Sequence, residues 1–174
     1  MGREIDLLKN YPKSVRDLTK RLQSKTEDDR LIARKFGKDF FDGNRSHGYG
    51  GFEYNSRFWE HVVPTFIDYW NLTESDNILD VGCAKGFMLY DFKKVLPKLK
   101  IQGVDISDYA IKNSLEQVEP NLLVANASSL PFDDDAFDAV ISINTVHNLE
   151  KNECAKALQE IERVSNGKSF ITVD

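Results

Sequence analysis

The feature that most constrains the fold is an alternation of short apolar segments with amphipathic ones, which begins at Asn77. Apolar runs predict five strands, at residues 78–81, 101–104, 122–125, 137–143 and 169–173. Helical periodicity predicts three further helices, at residues 86–96, 108–118 and 150–165. Such alternation specifies a parallel sheet with helices on both faces, and uninterrupted apolar runs fit a sheet covered on both sides. We therefore predict an α/β fold with a doubly wound, mostly parallel sheet.

The segment before this alternation predicts helices with largely solvated surfaces. Ser14 is a candidate helix cap, and Thr26 followed by Asp29 matches the capping-box pattern. The apolar positions behind these caps are Val15, Leu18, Leu22, Leu31, Ile32 and Phe36. Charged residues occupy the other faces, which is typical of helices exposed to water.

Residues 42–54 predict a loop in which four glycines are interleaved with aromatic residues. Glycine permits unusual backbone angles, and aromatic rings offer flat contact surfaces. A helix is predicted at residues 57–70, interrupted or kinked near Pro64. We interpret residues 1–56 as an N-terminal helical extension with a lid-like loop, and residues 57–174 as the main domain.

Composition excludes several classes of protein. Hydrophobic residues make up 41% and charged residues 29%, as in ordinary globular proteins, and the net charge of −5 argues against a general nucleic-acid binder. No apolar run approaches the roughly 18 residues that span a bilayer, and no signal peptide is evident. Two cysteines do not make a disulfide framework. We expect a cytoplasmic protein without nucleic-acid or membrane partners.

Residues 80–86, Asp-Val-Gly-Cys-Ala-Lys-Gly, link the first predicted strand to the helix that follows. A strand, a glycine loop and a helix N-terminus surround a ligand with backbone N–H groups, and small residues allow close approach. A dinucleotide site requires G-x-G-x-x-G, which from Gly82 needs glycine at positions 84 and 87. The chain has Ala84 and Phe87 there, so the match is poor.

The same loop, in ILDVGCAKG, resembles the D-x-G-x-G-x-G loop of class I S-adenosylmethionine (SAM) dependent methyltransferases. Ala84 replaces the middle glycine, and we expect binding to survive if the backbone there avoids positive φ. The later stretch LPFDDDAFDAVIS resembles the type 11 small-molecule branch of that family. The resemblance covers residues 77–174. It implies a Rossmann-like sheet, SAM as cofactor and methyl transfer to a small-molecule acceptor.

The resemblance also implies which residues hold the cofactor. They are Asp80, Gly82, Cys83, Ala84, Gly86, Asp105, Ile106, Asn126, Ala127 and Asn144. The loop holds the methionine part, Asp105 accepts hydrogen bonds from the ribose hydroxyls, and Ile106 packs on adenine. Asp105 as a helix cap is the alternative. Asn126 stands where the family often has Asp, and it can accept from the adenine amino group without charge assistance or simply open a polar loop.

Methyl transfer from a sulfonium is an in-line displacement that needs no covalent intermediate and no metal. An oxygen nucleophile usually needs a base, and His147, after the fourth strand, is the first candidate. An ordinary hydrogen-bonding role for His147 is the alternative, and the other histidines are His47 and His61. The loop at 42–54 is interpreted either as a lid that excludes water or as a plain connection.

Two further hypotheses stay open at this point. A SAM-binding module without catalysis and an NAD-type oxidoreductase are the alternatives to the methyltransferase. Sheets of this family usually have seven strands, whereas the predicted strands end with the fifth at residue 173. Because an exposed hydrophobic sheet edge is normally avoided, we expect either a truncated chain or strands supplied by a partner.

Overall fold

The computed structural model describes residues 5–13 and 25–173. Its sheet has five strands, β1 (Asn77–Val81), β2 (Lys100–Asp105), β3 (Leu122–Val124), β4 (Ala139–Ile143) and β5 (Ser169–Thr172). The strand order is β3-β2-β1-β4-β5, and each neighbouring pair is parallel. The predicted α/β doubly wound sheet is therefore confirmed, and all five predicted strands lie within two residues of their expected ends.

Six α-helices are found in the described residues. They are α1 (Glu27–Ala33), α2 (Lys38–Phe41), α3 (Val63–Trp70), α4 (Phe87–Val95), α5 (Asp108–Lys112) and α6 (Lys151–Val164). Short 3-10 turns at Glu119–Asn121 and Val146–Asn148 precede β3 and α6. None of these helices is long and apolar enough to cross a membrane.

The core lies in two layers, one on each face of the sheet. Adjacent residues of a strand alternate between the layers, as the pleat requires: in β1, Ile78 belongs to one and Leu79 to the other. Side chains of α3 and α4, including Phe66 and Phe92, fill the first layer, whereas Ile161 of α6 contributes to the second. Helices thus cover both faces, and the ligand crevice is expected where the strands end.

Two helices differ from their predictions. Pro64 lies in the first turn of α3, so it begins this helix instead of kinking a longer one. Helix α5 stops at Lys112, six residues before its predicted end. There the Asn113 side-chain nitrogen donates to the carbonyl of Tyr109 at 2.8 Å and satisfies the last turn.

The N-terminal residues pack against the main domain. Leu7 is buried, and its carbonyl accepts a hydrogen bond from Thr65 Oγ1 at 2.7 Å. The capping box is confirmed, since Thr26 Oγ1 accepts from the Asp29 N–H and an Asp29 oxygen accepts from the Thr26 N–H. However, α1 buries no residue, and Leu31 is 51% exposed. The predicted cap at Ser14 lies outside the described residues, and the boundary at residue 56 stays a prediction.

Candidate functional site

The loop between β1 and α4 has a conformation that requires glycine at positions 82 and 86. Gly82 has φ +86°, and a Cβ built there lies 1.9 Å from Thr145 Oγ1. Gly86 has φ +75°, with Val118 Cγ2 at 2.8 Å from a built Cβ. Ala84 also has positive φ, +50°. The condition set for Ala84, that its backbone avoids positive φ, is therefore not met. The methyl group of Ala84 is accommodated with backbone strain of about 1–2 kcal/mol.

Asp105 ties the end of β2 to this loop. Its Oδ2 accepts a hydrogen bond from the Ala84 N–H at 2.8 Å, and its Oδ1 accepts from the Ser107 N–H at 2.8 Å. Ser107 in turn caps α5 by accepting from the Ala110 N–H at 3.0 Å. Ser107 and not Asp105 is therefore the N-cap of α5, which was the alternative role for Asp105. Each Asp105 oxygen keeps lone-pair capacity for a ligand hydroxyl.

Asp80 is a buried carboxylate at the bottom of the loop. Its residue is 5% exposed, and none of the described residues donates a hydrogen bond to its carboxylate. Burial, followed by the negative charge of Asp105, raises the pKa of Asp80 to about 8. Burial also raises the pKa of Asp105, although its backbone hydrogen bonds oppose that shift. Burial makes the ionised forms of Asp80 and Asp105 costly, and the charge of Asp105 adds to the cost at Asp80. A cationic ligand group beside them stabilises those ionised forms and is therefore favoured at this position.

Cys83 contributes to the loop in a different way. Its side chain is buried in the first core layer, and burial raises the pKa of its thiol well above the ordinary value. Its N–H donates to the carbonyl of Val104 at 3.0 Å. Only the main chain of Cys83 can therefore border a ligand, and the thiol is not a nucleophile.

The next strand ends supply an apolar surface and a polar loop. Ile106, directly after β2, is 54% exposed although it is a large aliphatic residue. Ala127, after β3, is buried. Asn126 Oδ1 accepts from both the N–H and the hydroxyl of Ser128, at 2.9 and 3.0 Å. Because these two bonds use both lone pairs of that oxygen, the predicted acceptance from an adenine amino group has to compete with them.

The end of β4 forms the remaining side of the crevice. Asn144 has φ +54°, and its N–H donates to the carbonyl of Thr172 at 3.0 Å. The following 3-10 turn carries His147, which is exposed. Asn144, His147 and Asn148 line a cleft of about 830 Å³. The structure therefore brings the predicted loop and strand-end residues to one edge of the sheet, with His147 beside them.

Comparison with known proteins identifies the family. Residues 79–171, more than half of the chain, match a family model described as a methyltransferase domain. The chain belongs to this methyltransferase family. Membership of a methyltransferase family supports S-adenosylmethionine as the cofactor and argues against the NAD-type alternative. The buried Asp80 carboxylate fits that cofactor, which carries an ammonium and a sulfonium, and the exposed Ile106 side chain offers a surface for adenine.

Individual relatives cover parts of the chain. The arginine-hydroxylase NDUFAF5, mitochondrial, of Mus musculus is 36% identical over 87 residues, which is 49% of this chain and 24% of that protein. The demethylmenaquinone methyltransferase of Symbiobacterium thermophilum is 32% identical over 125 residues, 67% of this chain and 49% of that protein. The chain thus spans about a quarter to a half of the length of these curated relatives.

A solved structure shows the same fold. The putative S-adenosyl-L-methionine-dependent methyltransferase of Methanococcus maripaludis aligns with a TM-score of 0.58 at 18% identity, and the alignment covers 66% of this chain and 55% of that one. The names of these relatives differ in the reaction they state, so the acceptor is not fixed by family membership. The compartment also stays a prediction, because one relative is named as mitochondrial.

Sequence reasoning missed a contact between two loops. One is the loop between β1 and α4, residues 82–86, called the cofactor loop below, and the other is the glycine–aromatic loop at residues 42–54. Lys85, inside the cofactor loop, is buried, and its Nζ lies 2.7 Å from Asp42 Oδ2. Tyr109 donates to the same oxygen at 2.8 Å, and the Phe52 N–H donates to Oδ1 at 2.8 Å. Burial alone raises the pKa of Asp42, but these hydrogen bonds, with that of Lys85 first, lower it overall. A lysine among small loop residues was the signal available.

Aromatic contacts extend this attachment. The Phe52 ring stacks on Phe87 of α4, with centroids 5.0 Å apart. Tyr54 donates to Asp91 Oδ1 at 2.6 Å, and Lys94 lies 3.2 Å from the same oxygen. The glycine–aromatic loop at residues 42–54 therefore packs against the N-terminal part of α4. Its interpretation as a lid stays a hypothesis.

Proposed function

We propose that this chain is the SAM-binding part of an enzyme that transfers a methyl group to a small-molecule acceptor by in-line displacement. The observation that carries the proposal is a cleft that is lined both by Asn144, a predicted cofactor residue, and by His147. Its volume of about 830 Å³ suits a small organic molecule. The proposal therefore puts the cofactor crevice and the acceptor cleft next to each other at the end of β4.

The residues around the crevice have distinct proposed roles. When bound, SAM supplies an electrophilic methyl group on a sulfonium. Asp80 places negative charge beneath the loop, Asp105 accepts hydrogen bonds from the ribose hydroxyls, and Ile106 packs against adenine. Gly82 and Gly86 are proposed to shape the loop that borders the cofactor, because the side chains of Thr145 and Val118 occupy the space that a Cβ at these positions would need.

His147 is proposed as the base that removes a proton from the acceptor. It is exposed on the 3-10 turn, so its imidazole can reach a molecule in the cleft. Neutral imidazole takes protons at physiological pH, and positioned general bases contribute about 10²–10⁴-fold to a rate. Orientation of the acceptor by the cleft walls is proposed to supply the larger share of the rate enhancement.

Calorimetric titration with SAM, with S-adenosylhomocysteine (SAH, the demethylated product) and with NAD tests the cofactor assignment. We expect micromolar binding of SAM and SAH and no binding of NAD. Transfer of labelled methyl from SAM to a low-molecular-weight extract fraction tests catalysis, and His147→Ala should lower it about 100-fold without changing SAH affinity. His61→Ala, which alters an exposed histidine outside the cleft, is the matched control. Binding without any transfer would favour the non-catalytic module.

The Asp80 carboxylate should make cofactor binding dependent on pH. Its folded pKa of about 8 is raised above the usual value of 3.8, so in the free protein it is largely protonated at neutral pH. A cationic ligand favours the ionised form, and binding below pH 8 must therefore release a proton. We expect the Kd for SAH to fall by up to about tenfold per pH unit from pH 6 to 8 and then to level off.

Asp80→Asn is the control for this linkage. Asparagine keeps the shape of the side chain and cannot ionise, so SAH should bind weakly with a flat pH profile from 6 to 8. The free energy of unfolding of the parent protein should decrease as the pH rises. The contribution of Asp80 to it is fully present below pH 3.8 and is lost as the pH rises through about 8. Urea unfolding should then find the variant more stable than the parent at pH 8.5. A flat SAH profile for the parent protein would refute the linkage.

A further inference from the structure

The cleft beyond Asn144 has a cationic wall. Lys13, Arg34 and Arg57 line it, and all three are exposed. None of the three forms an ion pair with any residue in the part of the chain that the structure describes. Lys25 and Arg45 line the same cleft. Lys13, Arg34 and Arg57 face one concave space, where like charges repel one another and an anion between them relieves that repulsion.

Acidic residues do not balance this charge within the cleft. Among residues 5–13 and 25–173, no aspartate or glutamate lines it. Asp29 contacts this wall, and its Oδ1 lies 3.2 Å from His47 Nε2. Asp29 already accepts hydrogen bonds from the Thr26 backbone and hydroxyl and from Ser46, and these lower its pKa to about 2. Its charge is therefore engaged with its own helix cap and not with the arginines.

The position of this charge is unusual for the chain as a whole. The net charge is −5, so a positive cleft is a local feature and not the edge of a generally basic surface. A nucleic-acid binder presents a broad basic face, whereas an open cleft of about 830 Å³ has the dimensions of a small anionic molecule. The chemistry and the dimensions thus favour the same class of ligand.

Aromatic side chains also line the cleft. They are Tyr11, Phe36, Phe40, Tyr49 and Phe58. The Arg57 guanidinium lies 4.6 Å from the centroid of the Phe58 ring, which holds it beside a flat apolar surface. The rings of Phe36 and Phe40 pack edge to face, with their centroids 5.1 Å apart. Flat rings beside guanidinium groups suit a planar molecule that carries an anionic group.

We infer that the methyl acceptor is a planar aromatic or conjugated molecule with a carboxylate or phosphate group. The anionic group lies against Lys13, Arg34 and Arg57, and the reacting atom lies toward Asn144 and His147, which line the same cleft. This inference rests on the proposed function. It adds the substrate class and names Arg34 and Arg57 as specificity-determining residues.

Binding to the SAH-saturated chain tests the inference through three matched pairs of probes. The pairs are 4-hydroxybenzoate with 4-hydroxybenzyl alcohol, 1-naphthoate with 1-naphthylmethanol, and phenyl phosphate with phenol. In at least one pair we expect the anion to bind about tenfold or more tightly than its neutral partner, with affinity that falls as NaCl rises from 50 to 500 mM. No preference for the anion in any pair would overturn the inference.

Two substitutions locate the preference. Arg34→Gln and Arg57→Gln should each weaken binding of the anion about fivefold or more and leave its neutral partner unaffected. Lys98→Gln, which alters a cation 82% exposed outside the cleft, should change nothing. Equal loss in all three variants, or none in the arginine variants, would contradict the assignment.

SAH affinity, measured for every variant, separates the two levels of the proposal. If the chain fails to bind SAH, the proposed function fails. If SAH binds normally and no anion is preferred, only the acceptor inference fails. A single-stranded RNA that binds at 150 mM NaCl and loses affinity in both arginine variants, while no small anion binds, would assign the cleft to nucleic acid and also overturn the inference.

Discussion

Gly82→Ala should destabilise the protein by about 2–5 kcal/mol. At φ +86° an L side chain is strained, and the added Cβ meets the Thr145 side chain at three atoms, Oγ1 at 1.9 Å, Cγ2 at 2.6 Å and Cβ at 2.7 Å. Rotation of Thr145 moves its oxygen and methyl carbon but leaves Cβ in place. The loop or the end of β4 must therefore shift. Urea unfolding followed by tryptophan fluorescence measures the loss.

Ala84→Gly is the control for backbone strain within the same loop. Position 84 has φ +50° in the present chain, so glycine removes strain there while it adds freedom to the unfolded state. We expect the free energy of unfolding to stay level or rise by up to about 1 kcal/mol. If Gly82→Ala stays within 0.5 kcal/mol of the parent, on the order of the error of an unfolding curve, the packing of Gly82 against Thr145 is wrong.

The contact can be separated from the strain by a second substitution. Thr145→Ala in the Gly82→Ala background removes the oxygen and the methyl carbon that clash and keeps only the contact with Cβ. Part of the lost stability should return, and the part that does not return reports the backbone strain together with the remaining contact with Cβ of residue 145. Full additivity of the two single changes would show that these residues do not touch.

The sheet was predictable because its signal is local and repeated. Each strand is a short apolar run, and strands of a covered parallel sheet need no further pattern. The errors lie where a single side chain decides where a helix begins or ends. Pro64 was compatible with a kink or with a helix start, and in the structure it lies in the first turn of α3. Asn113 ends α5 through a hydrogen bond to Tyr109, which periodicity does not contain.

The site was predictable only in part. Motif spacing placed the small residues and Asp105 at adjacent strand ends, where parallel topology brings them together. The left-handed backbone at Ala84 has no sequence signal, because alanine usually avoids it. The pair of Lys85 with Asp42 joins residues 43 positions apart, and the cationic cleft gathers Lys13, Arg34 and Arg57 from separate segments. Such contacts arise from tertiary packing and not from local pattern.

Asp105→Ala should cost more cofactor affinity than any other single change in the crevice. The proposed ribose contacts to an ionised carboxylate account for about a 100-fold loss, since hydrogen bonds to charged groups contribute about 1.5–3 kcal/mol each. The same substitution leaves the N–H groups of Ala84 and Ser107 without their acceptor. The cofactor loop therefore loses its link to β2 as well as its ligand contact. Calorimetric titration with SAH measures the change.

Two further variants separate ligand contact from loop support. Asp105→Asn keeps one acceptor oxygen but no charge, so its SAH affinity should lie between those of the parent and of Asp105→Ala. Ser107→Ala removes the hydroxyl that caps α5, which should lower stability by about 1 kcal/mol and leave SAH affinity unchanged, because the Ser107 N–H still donates to Asp105. If Ser107→Ala weakened SAH as much as Asp105→Ala, Asp105 would act through the loop alone. Unchanged affinity in Asp105→Ala would remove the ribose assignment altogether.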